Sequence, residues 1–184
     1  MDFYKIINIL QLNGIKTENG LTEAEIKKIE TLYSFCFTPD LKELLTHVLP
    51  VSKGFTNWRD FSNDNVNHIK EELAWPLEGM IFDIENNGFW VDDWGIKPAE
   101  IYEAKRVCTE AFVTLPKLIP IYAHRYIPEV PREAGNPVFS VYQTDIIYYG
   151  ENLESYFEIE FGQKSHNSID YSAIKVIKFW GEFV

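Results

Sequence analysis

Apolar positions recur at helical spacing through the first two thirds of the chain and at strand spacing later. Thr22 and Glu25 fit a capping box, with Leu21 and Ile26 placed to close a hydrophobic staple. Ile26, Ile29 and Leu32/Tyr33 then share one helical face. A second helix is predicted from Thr38-Pro39-Asp40, with a cap, a first-position proline and an acid at the positive dipole end. Leu41, Leu44, Leu45, Val48 and Leu49 form its apolar stripe, and Pro50 ends it. GFTNWRDF, 54–61, reads as a loop with two aromatic anchors, and a third helix covers about 63–74 with Val66, Ile69 and Leu73 inward. Residues 76–97 are ambiguous. The Phe82/Ile84 alternation suits a strand with a turn at Asn87-Gly88, whereas Pro76 equally opens a short helix. Pro98 begins a further helix to about Phe112, with Ile101, Ala104, Cys108 and Ala111/Phe112 inward.

After Pro116 the segments LIPIY, RYI, PVFSVY and DIIYYG are short, rich in β-branched and aromatic residues, and separated by Pro, Gly and Asn. They predict successive strands of an antiparallel sheet. Asn152 caps a helix with Leu153, Tyr156, Phe157 and Phe161 inward, and IKVIKFW follows as a strand or extended tail. Helices first and strands later predict one α+β domain, a mixed or mainly antiparallel sheet flanked by helices. Residues 1–20 form an N-terminal extension packed on a domain of 21–184.

With 184 residues, 46% of them hydrophobic and 15% aromatic, the chain can bury a core without metal or disulfide support. Its 28 acidic against 17 basic residues give a formal charge of −11. That balance opposes direct binding of nucleic acid or an anionic membrane and suits a basic protein partner. Cys36 and Cys108 fit neither a zinc cluster nor a redox pair and read as small hydrophobes in a reducing compartment. The first 14 residues lack a basic leader and a cleavage site, and no window reaches membrane-spanning length. A cytoplasmic protein is expected.

The densest group of candidate chemistry is PIYAHRYIPEVPREAGNPVFSVYQTDIIYYG, 120–150. Its His124, Arg125 and Asp145 invite a catalytic reading, but no GxSxG-like frame presents a nucleophile. A structural role is favoured: Arg125 buried and paired with Asp145, His124 bonded to backbone across a turn. The histidines 47, 68, 124 and 166 lack HxxxH or HExxH spacing, and there is no P-loop or GxGxxG. Neither metal nor cofactor is expected. Asp83, Glu85, Asp92 and Asp93 form a paired-carboxylate possibility better read as solvated turns. FWVDDWG, 89–95, is the candidate partner-binding patch. Trp90 and Trp94 flank Asp92 and Asp93 in a segment without clean periodicity, although the aromatics also suit core packing.

The order of motifs resembles the SUKH superfamily (SMI/KNR type). LTEAEIKKIE followed by TPDLKELL is similar to its opening. GFTNWRDF, WPLEGMIFDIENNGFW, WGIKP, IPIYAHRYIP and NPVFSVYQTDIIYYGENLESYF resemble a bacterial branch, over about residues 21–162. The resemblance implies a non-enzymatic α+β scaffold, of the kind used by immunity proteins that neutralise polymorphic toxins, often nucleases, and by a fungal regulator of cell-wall synthesis. The expected function is therefore immunity-type binding by occlusion. The alternatives are a housekeeping scaffold and, further off, a hydrolase using His124 with nearby carboxylates.

Overall fold

The computed structural model describes residues 1–184, and its architecture is α+β. The helices are α1 (Phe3–Leu12), α2 (Glu23–Tyr33), α3 (Pro39–His47), α4 (Asn63–Asn86), α5 (Ile101–Phe112) and α6 (Leu153–Glu160). Strands β1 (Thr17–Asn19) and β2 (Val48–Pro50) pair as a small antiparallel ribbon. Strands β3 (Leu118–Tyr122), β4 (Arg125–Pro128), β5 (Val138–Tyr142) and β6 (Asp145–Gly150) form an antiparallel sheet in sequence order.

The sheet lies between two hydrophobic clusters because its residues alternate faces. Ile119, Ile127 and Val138 enter the larger cluster, with residues from α1, α2, α3 and α6. Leu118, Tyr126, Phe139 and Val141 enter the smaller one, with Met80 and Ile84 of α4, Ala104 and Cys108 of α5, and Trp180. Trp58 fills the larger cluster, edge-on to Tyr33, Phe35 and Phe37 at 5.2–5.9 Å. The loop 54–61 is thus anchored as expected. The 1–20 extension contributes to the same core, with Ile6 and Leu10 of α1 fully buried.

Local signals explain most helix starts. Thr22 and Glu25 complete their capping box, and Asn152 accepts the Ser155 N–H at the start of α6. Two expectations change and a third narrows. Val48 and Leu49 leave α3 and become β2, because backbone pairing with Asn19 and Glu18 satisfies an extended chain that buries the same side chains. Helix α5 begins at Ile101, not Pro98, and Ile101 is exposed. Of the two forms expected for IKVIKFW, the tail is found and not the strand; Ile177, Phe179 and Trp180 plug the smaller cluster, and Trp180 Nε1 donates to Pro116 O across 2.7 Å.

The ambiguous segment resolves as helix. Helix α4 runs 24 residues straight through Pro76. A proline at that position deprives the carbonyl four residues earlier, Glu72 O, of its helical donor. The phenol of Tyr126 takes that place, donating to Glu72 O across 2.9 Å. Ile69 lies in the larger cluster, and Met80 and Ile84 in the smaller, so α4 passes from one face of the sheet to the other.

Candidate functional site

The passage of α4 around the sheet creates a cleft. The β3–β4 and β5–β6 turns fall at the same end of the antiparallel sheet, and α4 crosses that end. Both turns take two residues, with positive φ at Ala123 and Gln143. Ala123 N donates to Gly54 O across 2.7 Å, which brings the 54–61 loop against the first turn. Asp83 fixes the second. Its carboxylate accepts from Thr144 N at 2.9 Å, from Thr144 Oγ1 at 2.6 Å and from Asn87. Burial pushes the Asp83 carboxyl up, but these hydrogen bonds outweigh it and leave its pKa below the ordinary value. Gly79 permits the close approach, since a Cβ there would sit 2.6 Å from the Cα of Gln143.

The resulting cleft, about 710 Å³, is lined by His68, Glu71, Glu72, Trp75 and Glu78 of α4, by Lys53–Phe55, and by Ala123, His124 and Tyr126. On α4, His68, Glu71, Trp75, Glu78 and Phe82 succeed one another at intervals of three and four, one continuous stripe. Trp75 is 41% exposed and Phe82 45%, and the neighbouring Tyr142 is 59% exposed. Trp75, Phe82 and Tyr142 line a second, smaller hollow with Glu78 and Gln143. The Trp75 indole is held by a 3.3 Å bond from Nε1 to Val141 O. Exposed aromatics grouped in this way are the informative kind of surface apolar residue.

Glu72 is the unusual group in the cleft. Its side chain is 14% exposed, and Oε2 is fully buried without a hydrogen-bond partner. Thr56 Oγ1, also buried, lies beside the same carboxyl and favours its charged form. Burial raises the Glu72 pKa above its ordinary value, and the nearby His68 and Thr56 offset only part of that rise. His68 Nε2 stands 3.8 Å from Glu72 Oε1. Burial, and then the charge of Arg125, lower the His124 pKa.

Of the residues singled out by sequence, Arg125 is buried and paired, but with Glu160. Its Nε donates to Glu160 across 3.0 Å, NH1 donates to Ser140 Oγ across 2.8 Å, and the guanidinium lies 3.7 Å over the Tyr149 ring. Asp145 is not its partner. Strand β5 supplies Ser140 as the residue opposite Arg125, while Asp145 stands opposite Tyr142 on the next strand and is exposed. His124 is exposed in the β3–β4 turn, where its carbonyl accepts from Val141 N at 2.9 Å. The cleft therefore joins His124 to Glu71, Glu72 and Glu78 without Asp145, and no serine, threonine or cysteine lines it.

In the 89–95 segment, Asp92–Trp94 form a single 3-10 turn, with Asp92 and Asp93 exposed. Trp90 and Trp94 are half-buried and meet edge-on at 5.3 Å. Trp90 Nε1 donates to Gly95 O across 2.7 Å, and Trp94 stacks on Phe179 at 6.4 Å. Asp83 and Glu85 do not pair, since Glu85 meets Lys105. No three His, Cys, Asp or Glu side chains gather as a metal-binding group. Burial pushes the Cys108 thiol up to about 11. No helix is long and apolar enough to cross a membrane.

The stripe on α4 escaped the sequence reading because Pro76 divided it between a helix and an undecided segment. The signal that finds it is the 68–71–75–78–82 spacing taken as one helix. Comparison of the chain with protein-family models, curated proteins and solved structures gives no match.

Proposed function

We propose that this chain is a non-enzymatic cytoplasmic binding protein of the immunity type. It captures a basic protein, of the polymorphic-toxin kind, on the exposed face of α4 and blocks it by occlusion. The observation that carries this reading is the stripe of Trp75 and Phe82, joined by Tyr142 and interleaved with Glu71 and Glu78. Tryptophan and tyrosine are enriched among binding hot spots, and each ring still offers on the order of 100 Å² to a partner. At ~25 cal/mol per Å², that is about 2–3 kcal/mol per ring before the costs of association. Carboxylates around the rings, on a chain of net charge −11, favour a basic partner and speed its approach. The resemblance of the motif order to the SUKH superfamily supports the immunity role.

The test is a search for a toxin gene beside the one for this chain, followed by growth rescue on co-expression with that toxin. Rescue is expected, together with its loss in Trp75→Ala/Phe82→Ala at unchanged melting temperature. Rescue that survives the double substitution removes this face from the interface. Absence of rescue by the unaltered chain leaves the housekeeping scaffold as the better account.

A further inference from the structure

We infer that residues 174–184 form a strap under backbone strain, which opens and shuts over the smaller hydrophobic cluster while the rest of the fold stays closed.

The strap begins where the chain is released from the body of the molecule. Ile169 is buried, and Asp170 N donates to Glu151 Oε1 across 2.9 Å, so the chain is pinned up to that point. Tyr171–Ala173 follow as an exposed 3-10 turn, which supplies a hinge. Beyond it, no backbone–backbone hydrogen bond ties 174–184 to the body. The bonds made by its amides reach back no farther than Tyr171, as in Gly181 N to Ile177 O at 2.9 Å and Glu182 N to Phe179 O at 3.0 Å. Only side chains cross the gap. Lys175 Nζ donates to Glu133 and to Ala134 O, and Trp180 Nε1 to Pro116 O. The remaining grip is apolar: Ile177, Phe179 and Trp180 are buried, whereas Val176 between them and the hinge is 92% exposed. Phe179 stacks on Trp94, Trp180 meets Phe112 edge-on, and Phe183 packs on Phe89. A segment held in this way can leave without breaking a strand ladder or a helix.

The strap also carries a force that favours leaving. Ile177 and Trp180 both face inward because the chain reverses at Phe179. The φ of 68° and ψ of −68° there, with Trp180 N bonded to Lys178 O at 3.0 Å, make the rare γ-turn of positive φ. That conformation is strained for any residue but glycine, and a phenylalanine occupies it. Undocking lets Phe179 return to negative φ. Strain therefore favours the open strap, and burial of Ile177 and Trp180 favours the shut one. Opening uncovers the Trp94 and Phe89 rings and the flank of the cluster built by Met80 and Ile84.

The experiment is hydrogen exchange on the full chain, followed by NMR. The Trp180 indole N–H reports the strap directly, and the amides of β4 and β5 report the body. The protection factor of the indole is expected to lie at least about 100-fold below those of the body amides, and urea should lower it with less than about half their slope. A smaller gap or an equal slope makes the strap part of the global unfolding unit and overturns the inference. The unaltered chain decides this point without any variant. Strain is read by comparing Phe179→Gly with Phe179→Ala, since both lose the ring. The Trp180 indole should be about tenfold better protected in the glycine variant, whereas an unstrained site favours alanine. Protection in the glycine variant equal to or below that in the alanine variant overturns the strained turn.

Discussion

Two stretches of this chain place tryptophan among carboxylates: the 89–95 segment and the outer face of α4. In the first, each ring has internal partners. Trp90 is held by Gly95 and Trp94, and Trp94 by Phe89 and Phe179 from the C-terminal tail. In the second, Trp75 has one backbone bond and leaves much of its ring to solvent beside Phe82 and Tyr142. Composition is nearly the same in both, and the difference lies in what lies opposite. The 3-10 turn folds its aromatics back on the tail, whereas a continuous helix cannot turn its outer stripe inward. Tryptophan beside acid thus leaves an open ring only where the fold gives it no internal neighbour.

The largest predicted effect lies where α6 meets the sheet. Arg125→Ala leaves Glu160 and Ser140 without their buried partner and is expected to destabilise the fold by about 3 kcal/mol. Chemical denaturation measures it, and a loss under ~1 kcal/mol shows that the pair carries little. Next comes Trp75→Ala/Phe82→Ala, which should weaken partner binding by about 100-fold, or roughly 2.7 kcal/mol, with little change in denaturation midpoint. The mirror experiment is Trp94→Ala. Because Trp94 is half-buried, its loss should cost about 2 kcal/mol of stability, below the ~3–5 kcal/mol of a fully buried ring, and leave affinity unaltered. The smallest effect is expected for Asp92→Lys with Asp93→Lys, under about threefold in affinity at ordinary salt. A loss of tenfold or more in that variant reverses the comparison and moves the interface to the 3-10 turn.

Much of the fold was legible because its signals are local. The Thr22 capping box, Pro39 at the start of α3, Asn152 before α6 and the four short strands all follow from neighbours within a few residues. The failures share a different cause. Val48 and Leu49 suit both a helical stripe and an extended strand, and the choice was made by β1, some thirty residues earlier. Arg125 signalled burial through its neighbours, but its partner Glu160 sits at the end of another element. Pro76 is the most instructive case. Locally it argues for a break, and only a tyrosine fifty residues later supplies the hydrogen bond that makes continuity tolerable. The exposed aromatic stripe became visible only once that contact was known.

The same proline has a consequence for cooperativity. Residues on its N-terminal side pack into one hydrophobic layer and residues on its C-terminal side into the other, with the Tyr126 bond at the joint. Amide hydrogen exchange along α4 should therefore divide near Pro76 into two opening units, each following its own layer. A ligand seated beside Trp75 bridges that division. Its binding should slow exchange around Ile69 and around Met80 together, merging two independent openings into one.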